Sequence, residues 1–125
     1  MNLEQTMQYI AEADENTLFI LWTNADPVTA TKMVFMYAEN SIRYQKWDRI
    51  SIIIWGATAR LTAENMDVQY KIRMLQNMGV HFTACITCAE ELAVKEILEE
   101  MGIDLIRWLD PLTALIKEKK QLIVI

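Results

Sequence analysis

Three short runs of unbroken apolar residues set the strongest limit on how this chain can fold. They are Thr17-Leu18-Phe19-Ile20-Leu21-Trp22, Ile50-Ser51-Ile52-Ile53-Ile54-Trp55 and Gln121-Leu122-Ile123-Val124-Ile125. A strand with one wet face alternates apolar and polar residues; a strand without that alternation is buried on both faces, as in parallel sheets covered by helices. Residues 80–85 and 103–108 are two weaker strand candidates. Helical patterns separate them. Asp26-Pro27 and Asp110-Pro111 each set a capping Asp before a Pro at the first helical position. The first of these helices runs to Lys46. A second carries Leu61, Asn65, Val68, Ile72 and Leu75 along one face, and a third carries Leu92, Ala93, Ile97, Leu98 and Met101. Gly79 and Gly102 read as helix caps feeding the next strand. Residues 3–12 form a leading helix through Leu3, Met7 and Ile10. Strict alternation of this kind predicts an α/β fold with a parallel sheet and right-handed crossovers.

The chain has 125 residues, which suits one domain burying roughly two thirds of its unfolded surface. Three glycines and two prolines leave no flexible linker. The expectation is a single domain over residues 1–125, with 1–16 as a helical N-terminal extension. Net charge is −5, and only Lys117, Lys119 and Lys120 cluster, which argues against a nucleic-acid groove. No apolar run approaches the ~18 residues of a membrane span. Met1-Asn2-Leu3-Glu4-Gln5 lacks the basic and apolar regions of a signal peptide. With only two cysteines, the expected setting is a reducing cytoplasm.

In parallel sheets the ligand edge lies beyond the carboxyl ends of the strands. Four loops meet there: residues 23–26, 56–60, the segment Cys85-Ile86-Thr87-Cys88, and Leu109-Asp110. A thiol where a strand ends and a helix begins meets unpaired N–H groups and a positive dipole end, both of which favour the thiolate. Cys85 and Cys88 are therefore the candidate catalytic residues, and the chemistry they indicate is that of sulfur. Competing readings remain: buried structural cysteines, or a zinc or iron–sulfur site shared between subunits, since one pair supplies only two of four ligands. His81 lies about 13 Å of strand from Cys85 and reads as structural. A thioredoxin-like arrangement does not fit, because the pair follows the third strand and both prolines open helices. Neither G-x-G-x-x-G nor G-x-x-x-x-G-K-[ST] occurs, so no nucleotide cofactor is expected. Asn24 and Asp26 are candidates for substrate contact and equally suited to capping the first helix. Arg60 is the only cation at this edge and is the candidate partner for a thiolate or bound anion. Glu90 and Glu91 are placed in the first turn of the third helix, where they complement its dipole.

The stretch Gly79-Val80-His81-Phe82-Thr83-Ala84-Cys85-Ile86-Thr87-Cys88-Ala89 resembles the DsrE/DsrF-like family of sulfur-relay subunits and their stand-alone relatives. So do the Thr23-Asn24-Ala25-Asp26-Pro27 turn, the Ile52-Ile53-Ile54-Trp55 strand and Met101-Gly102-Ile103-Asp104. The likeness covers residues 17–125. It implies a three-layer, Rossmann-like α/β/α domain with a five-stranded parallel sheet in the order 4-3-2-1-5, often assembled into trimers or hexamers. It also implies that Cys85 receives sulfane sulfur as a persulfide and passes it on. Cys88 matches a second cysteine present in only some members.

The functional expectation is a sulfur-relay protein or sulfurtransferase component. Cys85 attacks a donor persulfide, Cys88 resolves it, and thiol exchange needs no cofactor. Its partners are sulfur donor and acceptor proteins or small persulfides. A parallel sheet covered by only two helices on one face predicts a homo-oligomer. The alternative is a non-enzymatic oligomeric binding module with structural or metal-bridging cysteines.

Overall fold

Two of the three apolar runs become the centre of a sheet; the third, residues 121–125, is an edge strand, half-buried at Leu122 and Ile123 and exposed at Gln121 and Val124, because it has a neighbour on one side only. In the computed structural model, which describes residues 1–125, the strands are β1 Thr17–Trp22, β2 Arg49–Ile54, β3 His81–Cys85, β4 Asp104–Ile106 and β5 Gln121–Val124. All pair in parallel, in the order β4-β3-β2-β1-β5. The helices are α1 Leu3–Glu12, α2 Pro27–Thr29, α3 Met36–Arg43, α4 Ala57–Glu64, α5 Met66–Asn77, α6 Ile86–Glu91, α7 Lys95–Glu100 and α8 Leu109–Lys117, with a π-helical segment Ala30–Phe35 joining α2 to α3. This is the expected α/β Rossmann-like fold.

Strand order decides which face each helix covers. From β1 to β4 the strands step in one direction, so right-handed crossovers leave α2 to α7 on the same side. There Leu18, Ile20, Trp22, Ile52, Ile54, Phe82 and Ala84 pack against Val34, Phe35, Val68, Ile72, Leu75 and Leu98. The chain then returns past the whole sheet to place β5 beside β1, and α8 lands on the other side. Phe19, Ile53 and Ile106 point that way because strand side chains alternate. They meet Ile10 of α1, Leu115 of α8 and Trp108. No helix is long and apolar enough to cross a membrane.

The helices are more broken than their stripes suggest. The 61–75 stripe divides at Asn65, which leaves helical geometry and accepts the Val68 N–H on its side-chain oxygen at 3.0 Å. Val68, Ile72 and Leu75 stay buried, but Leu61 belongs to the separate α4. The third expected helix divides at Ala93, whose φ is +58°. Its Leu98 is buried, whereas Ile97 is 41% exposed. The first helix ends at Arg43 rather than Lys46. Asp26 does cap: its Oδ2 accepts from the Thr29 N–H at 2.8 Å. Asp110 does not, because α8 starts at Leu109 and puts Asp110 inside the first turn.

The leading helix is tied to the sheet at both levels of the polar layer beneath it. Asn2 and Gln5 form a reciprocal capping box that satisfies two otherwise unpaired N–H groups. The Tyr9 ring stands edge-on to Phe19 with centroids 5.8 Å apart, and its hydroxyl lies 3.2 Å from Ser51 Oγ. Asp104 takes His81 Nε2 at 2.9 Å on one oxygen and the Met1 ammonium at 2.9 Å on the other. Burial alone would raise the Asp104 carboxyl. The hydrogen bonds and charges of His81 and the ammonium outweigh that and hold it below the usual carboxylate range. His81 is thus a structural residue at the amino end of β3.

Thr83 is buried beside this layer, and its hydroxyl has no hydrogen-bond partner. A buried unpaired hydroxyl opposes folding, and valine has nearly the same shape. Thr83→Val is expected to raise stability by about 1 kcal/mol, seen as a higher urea midpoint at unchanged slope. A lower midpoint would show that the hydroxyl is bonded in solution.

Candidate functional site

The carboxyl edge of the sheet opens into a cleft of about 490 Å³. Ala25 enters it from the loop after β1, and Gly56 and Ala57 from the turn after β2. Arg60, Leu61 and Glu64 contribute one face of α4, and Cys88, Glu91 and Leu92 come from α6 and its end. Three of the four loops expected at this edge therefore meet here, while Leu109 and Asp110 stay outside.

Local geometry explains how the walls are held. Gly56 has φ +72° and ψ −131°, a backbone region closed to residues with a side chain, and this lets α4 turn back across the strand ends. Thr58, fully buried, donates from Oγ1 to the Trp22 carbonyl at 2.7 Å and accepts the Trp55 N–H at 3.1 Å. It pins the ends of β1 and β2 together. Trp22 Nε1 donates to the Asn24 carbonyl at 3.0 Å. The Thr23 and Asn24 amides donate to the Ile125 carbonyl at 2.6 and 3.1 Å.

The five residues singled out from sequence separate into two groups. Cys88 and Arg60 face the cleft together. Asn24 and Asp26 do not line it: Asn24 Oδ1 accepts the Asp26 N–H at 2.9 Å, and Asp26 is occupied with Thr29. Of the two readings for this pair, their observed hydrogen bonds are those of local capping. Cys85 occupies the residue just before α6, is 6% exposed, and makes no capping hydrogen bond through its side chain. Opposite it on β4 stands Ile106.

The electrostatics of Cys85 run opposite to the expectation for a thiol at a helix start. Burial, the largest influence, pushes the thiol up, and the neighbouring Cys88 side chain adds to it. The amides of Cys88 and Thr87 favour the thiolate but do not outweigh the burial. Two features account for this. The helix has only six residues, so few peptide dipoles add up along it, and the thiol is turned away from water. Glu90 and Glu91 also sit at the far end of α6 rather than in its first turn. Both cysteines are free thiols, and no group of three or more His, Cys, Asp or Glu side chains converges where a metal ion could be held.

A labelling experiment follows from this arrangement. Brief iodoacetamide treatment near neutral pH is expected to modify Cys88 first, because only Cys88 opens to the cleft. Cys85 should gain reactivity as pH rises past the usual thiol value of about 8.5, since its folded-state proton is held more tightly. Peptide mapping across pH would read both rates. Faster labelling of Cys85 at pH 7 would contradict the geometry.

Residues that the sequence reading assigned to packing, or left unassigned, complete the cleft. Leu61 and Leu92 hold helical stripe positions, and both touch the core. Glu64 carried no signal beyond its position one turn after Arg60. Nothing short of the packing of α4 beside α6 brings it near Cys88.

No family model matches the chain, and no curated protein matches it. Among solved structures, the conserved protein of unknown function BT1422 from Bacteroides thetaiotaomicron is similar over 91% of this chain and 100% of that one, at 34% identity and a TM-score of 0.87. At that identity over the whole of the other chain, the protein belongs to the same family as this Bacteroides thetaiotaomicron protein.

Proposed function

We propose that this protein carries sulfane sulfur as a cysteine persulfide, with Cys88 as the receiving thiol and Cys85 as its resolving partner. The observation that supports the reading is the placement of Cys88 in the wall of the cleft, one helical turn from a second thiol, Cys85, whose proton its side chain helps to hold. The resemblance to the sulfur-relay subunits points to the same chemistry but to Cys85 as the receiver. Accessibility favours Cys88.

The step balances without a cofactor. Cys88 as thiolate attacks the outer sulfur of a donor R–S–SH. The new bond joins Cys88 Sγ to that sulfur, the donor S–S bond breaks, and R–S⁻ leaves. An acceptor thiolate reverses the sequence and takes the sulfur away. In the absence of an acceptor, Cys85 as thiolate attacks Cys88 Sγ, forms a disulfide and expels HS⁻. A dithiol reductant then resets the pair. The raised pKa of Cys85 slows this loss near neutral pH, so the persulfide persists long enough to be delivered. Incubation with inorganic polysulfide is expected to add the mass of one sulfur atom, removable by dithiothreitol. A native chain that gains no sulfur would overturn the reading.

We place this activity in a cytoplasmic homo-oligomer, trimer or hexamer before dimer. Only α1 and α8 cover the second face of the sheet, and Leu109, Val124 and Ile116 remain 77%, 64% and 60% exposed on or beside α8 and β5. The sheet beneath α1 and α8 is buried at Phe19, Ile53 and Ile106, so the apolar surface left open is the outer side of α8 and the β5 edge, and a second copy would cover it. Light scattering during size exclusion should give a multiple of 14.5 kDa. A monomer at micromolar concentration would contradict it.

A further inference from the structure

We infer that the cleft selects the persulfide of a small aminothiol bearing one carboxylate and one ammonium group, built on a zwitterion of the amino-acid type, as the molecule that brings sulfur to Cys88. The inference rests on the persulfide reading and adds the ligand class. It comes from the charges that share the cleft with the thiol. Arg60 is its one cation; Glu64 and Glu91 are its two anions. None of the three takes part in an ion pair or a side-chain hydrogen bond within the protein: the ion pairs join Met1 to Asp104, Arg43 to Glu39 and His81 to Asp104.

The absence of an Arg60–Glu64 pair has a physical basis. These residues are four apart on one face of α4, within reach of each other. The order cation-then-anion along a helix is the weaker orientation, because it opposes the helix dipole. Arg60 is left available to a ligand carboxylate. Glu91 lies three residues from Cys88 on α6 and therefore on the same side of that helix. An ammonium held by the two glutamates and a carboxylate held by Arg60 would bracket the sulfur over Cys88, with Leu61 and Leu92 against the carbon chain. The volume of about 490 Å³ falls in the range of small-molecule sites, roughly 300–1,000 Å³. The excess of anions over cations in the wall disfavours a donor carrying net negative charge.

Binding can be measured apart from sulfur transfer by using thioethers that cannot exchange sulfur. The probes are S-methylcysteine (zwitterion), N-acetyl-S-methylcysteine (anion) and S-methylcysteamine (cation), titrated into the native protein and followed by amide NMR shifts. S-methylcysteine is expected to bind about threefold to tenfold more tightly than either of the others, the scale of one partly exposed charged contact. Its shifts should centre on residues 56–64 and 88–92. Arg60→Gln should remove its advantage over S-methylcysteamine, and the double variant Glu64→Gln/Glu91→Gln its advantage over N-acetyl-S-methylcysteine. Equal affinities, tightest binding of the anion, absence of binding, or shifts centred elsewhere would each overturn the assignment. Polysulfide loading of Cys88 together with any of those outcomes removes the ligand class and leaves the carrier reading standing. Ordered binding without loading overturns the carrier reading and with it the donor role, leaving only a cleft that prefers the zwitterion.

Discussion

Replacing Cys88 by serine is expected to give a folded chain that gains no sulfur from polysulfide, while Cys85→Ser still loads and holds its sulfur longer. Serine is close to cysteine in size, and position 88 is only half-buried, so the substitution leaves the packing of α6 intact. A hydroxyl does not supply a nucleophile for sulfane sulfur, because thiol–disulfide chemistry runs through the thiolate. The loss should therefore be complete rather than graded. At position 85 the same change removes the thiol that closes the disulfide and expels sulfide. It also puts a favoured capping residue at the start of α6, where the cysteine side chain makes no cap, so folding is not placed at risk. Intact mass at successive times after loading reads both variants. Loading lost in Cys85→Ser and kept in Cys88→Ser would exchange the two roles.

Trp22→Ala is expected to cost about 3–5 kcal/mol, among the largest effects of any single change in this chain. Trp22 is fully buried at the end of β1, and its ring meets Phe35 edge-on with centroids 5.1 Å apart. Its indole N–H also holds the Asn24 carbonyl, and with it the loop that sends Ala25 into the cleft. The alanine variant thus leaves a cavity in the core and frees the rim of the site at once. Trp22→Phe separates the two effects. It keeps most of the aromatic volume and loses the hydrogen bond, at a cost of about 1–2 kcal/mol. Urea unfolding of both variants reads the difference. A loss below ~2 kcal/mol in the alanine variant would mean that the surrounding core collapses onto the gap.

The architecture was legible in the chain because it follows from local composition. Unbroken apolar runs such as Ile52-Ile53-Ile54 fit only strands covered on both sides, and the alternation with helical stripes leaves a parallel sheet as the consistent arrangement. The Asp26 cap was legible for the same reason: its partner, the Thr29 N–H, lies three residues away. The helix breaks at Asn65 and Ala93 were not. A stripe at spacings of three and four continues in register across a single kinked residue, so periodicity does not reveal the interruption.

The candidate site was half legible. Its edge followed from the parallel sheet, and the chemistry of Cys85 and Cys88 from their residue type and their position where a strand passes into a helix. Which thiol meets solvent was decided only by the tertiary structure. Three residues of separation place both sulfurs near the start of α6, but burial in the folded chain closes off Cys85 and leaves Cys88 in the cleft wall. The same packing brings Arg60, Glu64 and Glu91 into the wall of the same cleft from two helices far apart in sequence. Secondary structure depends on neighbours along the chain and is written there; exposure and the meeting of charges depend on neighbours in space, which only the packing of α4 beside α6 supplies.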